Sequence, residues 1–487
     1  MQQVPVSTRP VRWAAGPLPW LTAVALLFAA VQLAFVVPGS GLSWDETVYV
    51  SQVGGNAPAA YFSAPRARGI SYLVAPVAAL TTSTTAVRTY LALLSAAALF
   101  GALRIWRTVL PTPVLAGAGA LFAALWPTLF YGPAAMPNLW CALGSLAATG
   151  WTVRTLRGAS RPAETTGAAS AVALVALMRP ADGFWLALPL MFAAVLVPGR
   201  RRPGLGAALA GGLVVGCAPW TAEAFAHYGG PVARFHRAGE IQGGLGWNFA
   251  VDDHLRALAG RTLCRPCDIG WESPATAVWW VALPLLTTGG IVAARRAGRG
   301  PVALLATATG VSTAVPYLFL VEYAAPRFLL PAYALLAVPV AEYLTHLFAR
   351  RRVGTVVPAL LLAAHLGVQF SALSHVIRTS HATGARFAAV AGALNGMGVR
   401  APCVVSGDDA VPIAYYAGCA SRQTGGHDAS ITPEALRDLA RHVPVAVLVT
   451  GGAAPPVTRG SHVVPLPKGR AHLLPGPAVD RARGGPL

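Results

Sequence analysis

Two adjacent carboxylates, Asp45 and Glu46, follow directly on the first long apolar segment of the chain, Pro17–Val37. A segment of that length is enough to cross a bilayer core of about 30 Å. Carboxylates within a few residues of a span's end sit at the membrane face, where charge stays hydrated. There they can act as a base toward a substrate whose reactive head is held at the lipid–water interface. The two do not have equal duties. Ser43-Trp44-Asp45-Glu46 has the form of a capping box, with Ser43 as N-cap and Glu46 at N3. Asp45 at N2 favours the positive end of the helix by about 0.3–1 kcal/mol but has no part in the box. Asp45 is therefore the first candidate for catalysis, and Glu46 the second, with a structural duty of its own.

The elements that position this pair follow from composition. Mean hydropathy is +0.55, apolar residues make up 55% and charged residues 11% of 487 positions, which excludes an ordinary soluble protein. A net charge of +19 raises the question of nucleic acid, and its distribution answers it. The arginines fall in short clusters between apolar segments: Arg9 and Arg12; Arg104 and Arg107; Arg154, Arg157 and Arg161; Arg200 to Arg202; Arg295, Arg296 and Arg299; Arg350 to Arg352. A nucleic-acid surface would be continuous, whereas these clusters mark the cytoplasmic ends of membrane spans. The partner is a lipid bilayer, with no nucleic acid.

Candidate spans are Pro17–Val37, Thr89–Val109, Val114–Tyr131, Pro137–Val153, Leu205–Phe225, Ala275–Ala294, Pro301–Leu320, Phe328–Leu347 and Val353–Phe370. The apolar stretch from Thr165 to Val197 is interrupted by Arg179-Pro180-Ala181-Asp182-Gly183. Arg161 and Arg200 to Arg202 should both be cytoplasmic, so the chain must cross and return there, with the interruption as an outer turn. The expectation is an α-helical polytopic membrane protein of about eleven spans, N-terminus cytoplasmic and C-terminus extracytoplasmic. Pro17–Val37 reads as an uncleaved first span, since it ends Val-Val-Pro-Gly-Ser without an Ala-x-Ala site. The membrane domain is expected over 1–370, with outer loops at 38–88 and 226–274. Most acidic residues belong to these loops and the tail, which places the active face outside.

The cysteines agree with an oxidising compartment. Cys141 and Cys217 fall in spans and read as small core residues. Cys264 and Cys267 share the large outer loop, and Cys403 and Cys419 the tail; a disulfide within each pair is expected. Cys264-x-x-Cys267 has no second ligand pair at metal-binding spacing, so no metal ligand is assigned. A small extracytoplasmic α/β domain is expected over 371–465: a helix at Ala385–Leu394, strands at Pro402–Ser406 and Val445–Val449, Asp408 capping a helix through Tyr416, and Thr432-Pro433 opening another. Residues 466–487, rich in Pro, Gly and Arg, read as a disordered tail.

A span followed at once by Asp45-Glu46, then an amphipathic stretch and the turn Ser63-Ala64-Pro65-Arg66, resembles the GT-C glycosyltransferases. These multi-spanning enzymes use polyprenyl-phosphate sugars and include the protein O-mannosyltransferases and the aminoarabinose transferases acting on lipid A. Met178-Arg179-Pro180, Ala218-Pro219-Trp220 ahead of a large outer loop, and Arg327-Phe328-Leu329-Leu330-Pro331 at the start of a late span resemble further elements in the same order. The match extends to about Phe370. One departure is the first-loop turn, where the O-mannosyltransferases carry His-Pro-Pro and this chain has Ala64-Pro65-Arg66; a histidine contact there cannot be carried over, and a protein hydroxyl is the less favoured acceptor.

The resemblance implies an inverting hexosyl- or pentosyltransferase. Asp45 would take the proton of an acceptor hydroxyl, and the acceptor would be a glycan, lipid or protein of the cell envelope. Arg327 is the first choice to hold the donor phosphate, because a guanidinium recognises phosphate bidentately; Arg66, Arg68 and Arg179 follow. In the loop at 226–274, Arg234, His236, Arg237, Glu240 and the Gly-rich run to Trp247 would offer a sugar or acceptor surface. No cofactor is implied with certainty; a divalent ion, Mg or Mn, is compatible with the pattern. The alternatives are a polytopic transporter, which would place ionisable groups near the bilayer midplane, and a non-catalytic envelope scaffold acting through its tail. Span centres almost free of charge speak against the transporter.

Overall fold

The computed structural model describes residues 16–158, 161–197, 202–244, 246–268, 270–349 and 356–476. Arg9, Arg12, Arg200, Arg201 and Arg350 to Arg352 lie outside the described residues. Helix α1 (Pro17–Val31) continues through a wider turn to Val36, and α2 (Trp44–Ser51) and α3 (Gly69–Ala78) occupy the first loop. Then come α4 (Thr84–Ile105), α5 (Thr112–Ala123), α6 (Trp126–Tyr131), α7 (Pro137–Arg157), α8 (Pro162–Met178), α9 (Pro180–Val195) and α10 (Pro203–His227). The large loop carries α11 (Pro231–Ile241) and α12 (Val251–Ala257), followed by α13 (Val278–Arg296), α14 (Gly300–Phe319), α15 (Leu330–Ala349) and α16 (Val356–Gly396).

Seven of the described helices are long and apolar enough to cross a membrane. Four further apolar helices, Gly69–Ala78, Thr112–Ala123, Pro162–Met178 and Pro180–Val195, are shorter. The protein is a multi-pass membrane protein. Between Thr165 and Val197, where a crossing and return is expected, the chain forms two helices, α8 and α9, with extended Arg179 between them and Pro180 opening the second. The expected span Val114–Tyr131 is instead two helices, because Pro127 has no N–H to bond back into the first one; Leu125 is extended and Trp126 starts the second. Outward-facing Leu26, Leu27, Val214, Val215, Leu285, Leu360 and Leu361 form the surface that lipid covers. Inside, close approach replaces the hydrophobic drive that lipid cannot supply. A methyl group at Gly212 or Gly216 of α10 would run into the carbonyl oxygens of Ala169 and Ala173 on α8.

Helix α16 has 41 residues and is therefore about 60 Å long. It leaves the bundle and enters the tail domain without a break, so the boundary expected between 370 and 371 falls inside one helix. No Pro lies between Phe370 and Gly396 to stop it. The tail domain is a five-stranded mixed sheet in the order β2-β1-β3-β5-β4: β1 (Val404–Gly407), β2 (Ala420–Ser421), β3 (Val445–Val449), β4 (His462–Pro465) and β5 (Arg470–Leu473). Strands β2, β1 and β3 are parallel, and β5 runs antiparallel to both neighbours. Helices α17 (Ala410–Ala417) and α18 (Pro433–Ala440) make the crossovers.

Thr432 does cap α18, accepting from the Ala435 N–H at 3.2 Å. Asp408 does not cap α17; its Oδ2 accepts from the Thr450 amide and hydroxyl, each at 2.8 Å, and Asp409 takes the cap position with φ 52°. The stretch 466–487 is not wholly irregular, since β5 pairs Ala471 and His472 between Leu448 and Val447 on one side and Val464 and Val463 on the other. Its composition hid a strand because β5 has only four residues; residues 477–487 lie outside the described part.

Candidate active site

Helix α2 is clamped by its own first turn. Glu46 Oε2 accepts from the Ser43 amide at 2.9 Å and hydroxyl at 2.8 Å, and from Arg88 Nη2 at 3.0 Å. Its Oε1 accepts from the Ala135 amide at 2.9 Å. With 3% exposure and both oxygens engaged, Glu46 is a brace tying α2 to α4 and to the turn before α7, and it does not line the cavity described below. Glu46→Ala leaves Arg88 buried beside no carboxylate, so a stability loss of about 3–5 kcal/mol is expected, read as a lower unfolding temperature in detergent.

The brace aims Asp45 into a half-open cavity of about 230 Å³. Its walls come from α2, the Ser63–Arg66 turn, the start of α7, the α8–α9 junction, the turn before α15, the large loop and the tail domain. Asp45 Oδ1 is 2.9 Å from Arg66 Nη1 and Oδ2 is 3.3 Å from Arg327 Nη2. Burial pushes the Asp45 carboxyl up, but Arg66 and then Arg327 more than offset it and hold the group below the usual carboxylate range.

Arg66 sits on a tight turn, with its amide donating to the Ser63 carbonyl at 3.1 Å and its Nε to the Ser63 hydroxyl at 3.1 Å. Beneath the turn lies Arg234, fully buried. It donates to the carbonyls of Ala64 at 3.1 Å, Arg66 at 3.0 Å and Trp220 at 2.6 Å, and pairs with Glu223 at 3.1 Å. Arg234 is thus a support for the turn and not part of an acceptor surface. Arg68, expected as a phosphate contact, binds Glu223 and Gln52, stacks on Phe62 and is not among the residues lining the cavity.

Arg327 lies in a short turn, Pro326–Leu329, at the head of α15. It is 8% exposed, lines the cavity, and donates to the Thr262 carbonyl at 2.7 Å. Burial inside protein separates it from an arginine reaching for lipid headgroups. Arg179, at the α8–α9 junction, also lines the cavity, 5.3 Å from the Tyr317 ring and 5.1 Å from that of Phe328, with Asp182 at 3.7 Å. Three of the four arginines named from the sequence therefore converge.

The large loop contributes differently from expectation. His236 is exposed on α11, and Trp247 is 82% exposed, stacked on Phe319 at 5.7 Å. Neither lines the cavity. His236 neighbours exposed Phe235 on α11, and Trp247 and Phe249 both pack on Phe319, as aromatic side chains at a lipid–water boundary do. Arg237 and Glu240 pair with each other at 2.8 Å. Both expected disulfides, Cys264–Cys267 and Cys403–Cys419, are formed. The first does more than staple a loop. Cys264 exchanges backbone hydrogen bonds with Ala324 at 2.9 and 3.2 Å, which sets Arg265 at the cavity wall, 4.8 Å from the Tyr323 ring.

Arg265 went unnamed in the sequence although it lies inside the Cys-x-x-Cys motif that was. His427 and Asp428, on the loop after β2, also line the cavity, and no sequence signal marks them. The tail domain reaches the site because α17 docks on α2. Leu42 donates its amide to Tyr416 Oη at 2.6 Å, Asn56 donates to the Tyr415 carbonyl at 2.7 Å, and Val411 packs on Val48 and Ala60.

The cavity thus holds four arginines, Arg66, Arg179, Arg265 and Arg327, against two acids, Asp45 and Asp428. The lining therefore carries an excess of positive charge, with Asp45 between two of the four guanidiniums. The donor set does not fit a divalent ion such as Mg or Mn: Asp45 has an arginine on each oxygen, and no group of three His, Cys, Asp or Glu residues converges among the described residues.

No family model matches the chain, and no curated protein sequence matches it. Solved structures do. ArnT from Cupriavidus metallidurans bound to undecaprenyl phosphate superposes with a TM-score of 0.66 at 13% identity, covering 93% of this chain and 97% of that one; its apo form gives 0.64 at 12% identity, covering 93% and 96%. The archaeal oligosaccharyltransferase AglB from Archaeoglobus fulgidus, in complex with an inhibitory peptide and a dolichol-phosphate, gives 0.52 at 15% identity, covering 88% of this chain and 69% of that one. The resemblance read from Asp45-Glu46, Met178-Arg179-Pro180 and Arg327-Phe328-Leu329 thus holds at the level of architecture: the chain has the GT-C fold.

Proposed function

We propose that the protein is an inverting glycosyltransferase that moves a sugar from a polyprenyl monophosphate to a hydroxyl of a cell-envelope acceptor on the extracytoplasmic face. The observation that carries this reading is one carboxylate, Asp45, held between Arg66 and Arg327 in an arginine-lined cavity at the ends of membrane helices. The lipid phosphates in the ArnT and AglB structures support a lipid-phosphate donor.

Orientation follows from the two ends of the bundle. The cavity takes residues from the start of α7 and the head of α15, whereas Arg154 and Arg157 end α7, Arg161 precedes α8, and Arg295, Arg296 and Arg299 join α13 to α14. The arginine-rich end is cytoplasmic by the positive-inside rule, so the cavity opens outside.

The resting geometry poses a chemical problem and supplies an answer. A carboxylate held below its ordinary pKa is a weak base. A donor phosphate entering between Arg66 and Arg327 competes with Asp45 for the same guanidiniums, and their retreat toward phosphate restores the basicity of the carboxylate. The acceptor oxygen then gives its proton to Asp45 and bonds to the anomeric carbon. The bond from that carbon to the phosphate oxygen breaks, and its electron pair leaves with the lipid phosphate. One displacement inverts the anomeric configuration. Arginines aimed at the leaving phosphate stabilise the charge as it develops.

Purified protein in lipid nanodiscs, incubated with radiolabelled polyprenyl-phosphate sugars and envelope extract with and without chelator, tests the reading. Label appearing in an envelope product with inverted anomeric configuration supports it. Uptake of solute into proteoliposomes with no transfer would replace it with a transporter.

A further inference from the structure

A fully buried amide side chain lines the cavity without a hydrogen-bond partner. Asn138 is 1% exposed and lines the cavity, yet neither its Oδ1 nor its Nδ2 has a hydrogen-bond partner among the described residues. Burying an amide with both ends unsatisfied is costly, and native structures rarely tolerate it without a purpose. The side chain lies in the first turn of the 21-residue helix α7, directly after Pro137 at N1. Its position is rigid: Ala135, just upstream, is bonded to Glu46, and Cys141, one turn on, is fully buried. The same brace that aims Asp45 therefore holds the start of α7.

The chemistry of the amide selects its ligand. A phosphate only accepts hydrogen bonds; it would satisfy Nδ2 and set an anionic oxygen against Oδ1. The cavity already offers four guanidiniums for that charge. A carboxylate has the same defect, and an ammonium the converse one. Two hydroxyls on adjacent ring carbons satisfy both atoms together, one donating to Oδ1 and its neighbour accepting from Nδ2.

We infer that Asn138 is a specificity-determining residue that binds a neutral vicinal diol on the sugar of the donor lipid. This inference rests on the polyprenyl-phosphate reading above and deepens it. It assigns the donor class: a sugar with two free neighbouring hydroxyls at the ring edge facing α7.

The test is equilibrium binding, without acceptor, to the full chain in nanodiscs. The probes are undecaprenyl phosphate alone and polyprenyl-phosphate arabinose, mannose and glucose. The wild type is expected to bind at least one sugar-bearing lipid more tightly than the sugarless one. Asn138→Ala is expected to lose that preference by about tenfold or more, with affinity for undecaprenyl phosphate unchanged. Deoxy analogues of the preferred donor, each lacking one of the two hydroxyls, should bind the wild type about tenfold more weakly and Asn138→Ala no more weakly than the parent lipid. That comparison does not depend on how the variant packs. Unchanged preference in Asn138→Ala, or equal loss for sugarless and sugar-bearing lipids, overturns the assignment and leaves the donor reading standing. A wild type that binds none of the sugar-bearing lipids overturns both.

Discussion

Asp45→Asn is expected to lower the rate of glycosyl transfer by about 10²–10⁴, the range that a positioned base contributes, while donor affinity stays equal or rises. The substitution is isosteric and removes only the charge and the ability to take a proton. Arg66 and Arg327 lose their carboxylate partner, and the cavity becomes more positive, which favours the donor phosphate. A fall in kcat without a fall in donor affinity separates this outcome from general collapse of the site. Undiminished transfer by Asp45→Asn would remove Asp45 from the mechanism. The pH dependence carries the same argument. Because the free enzyme holds Asp45 below the usual carboxylate range, the acidic limb of kcat/KM should also lie below it. Arg66 is the larger of the two attractive partners. Arg66→Gln therefore raises the Asp45 pKa, and activity is lost at higher pH on acidification. A limb that moves the other way, or not at all, would assign it to another group.

Arg327→Ala is expected to weaken binding of polyprenyl phosphate by about 10- to 100-fold, the loss typical of a hydrogen bond to a charged group. Arg327→Lys should recover only part of it, since an ammonium cannot offer the planar fork. The guanidinium also holds the Thr262 carbonyl at 2.7 Å, so kcat should fall as well. The comparison with Arg68 makes the result specific. Arg68 has the same charge on the same loop but is bound to Glu223 and Gln52, so Arg68→Ala should leave lipid-phosphate affinity within about twofold, a surface-type effect. Equal losses in the two variants would mean that bulk positive charge, not the geometry around Asp45, attracts the donor.

Local patterns in the chain were legible where a local force acts. The capping box at Ser43–Glu46, the Arg179-Pro180 break, the Thr432 cap and the strand Val445–Val449 all appear as read, because each depends on residues within one turn or one strand. The division of labour between the two acids was legible for the same reason: Glu46 had a duty inside its own helix and Asp45 had none. Sequence could not show that Glu46 also binds Arg88 and Ala135, 42 and 89 residues away.

The arginines show the limit most clearly. Arg66 and Arg68 differ by two positions and cannot be told apart by composition or charge, yet one faces Asp45 and the other Glu223. His236 and Trp247 have residue types suited to sugar, but both are exposed away from the cavity, His236 on the outer side of α11 and Trp247 stacked on Phe319. Arg265 was hidden inside a motif read only for its cysteines. His427 and Asp428 stand some 380 residues beyond Asp45, and reach the cavity only because α16 continues unbroken out of the bundle and lets α17 dock on α2.

Sequence alone thus determined the fold class of the protein and several of its helix ends, and singled out Asp45 as the candidate carboxylate, since hydropathy and capping are short-range effects written in neighbouring residues. Tertiary structure decided which charges share the cavity, which of them merely brace it, and that Asn138 lines it with neither amide atom hydrogen-bonded. Those outcomes depend on the direction of a side chain across contacts made between distant segments, and no spacing along the chain encodes that direction.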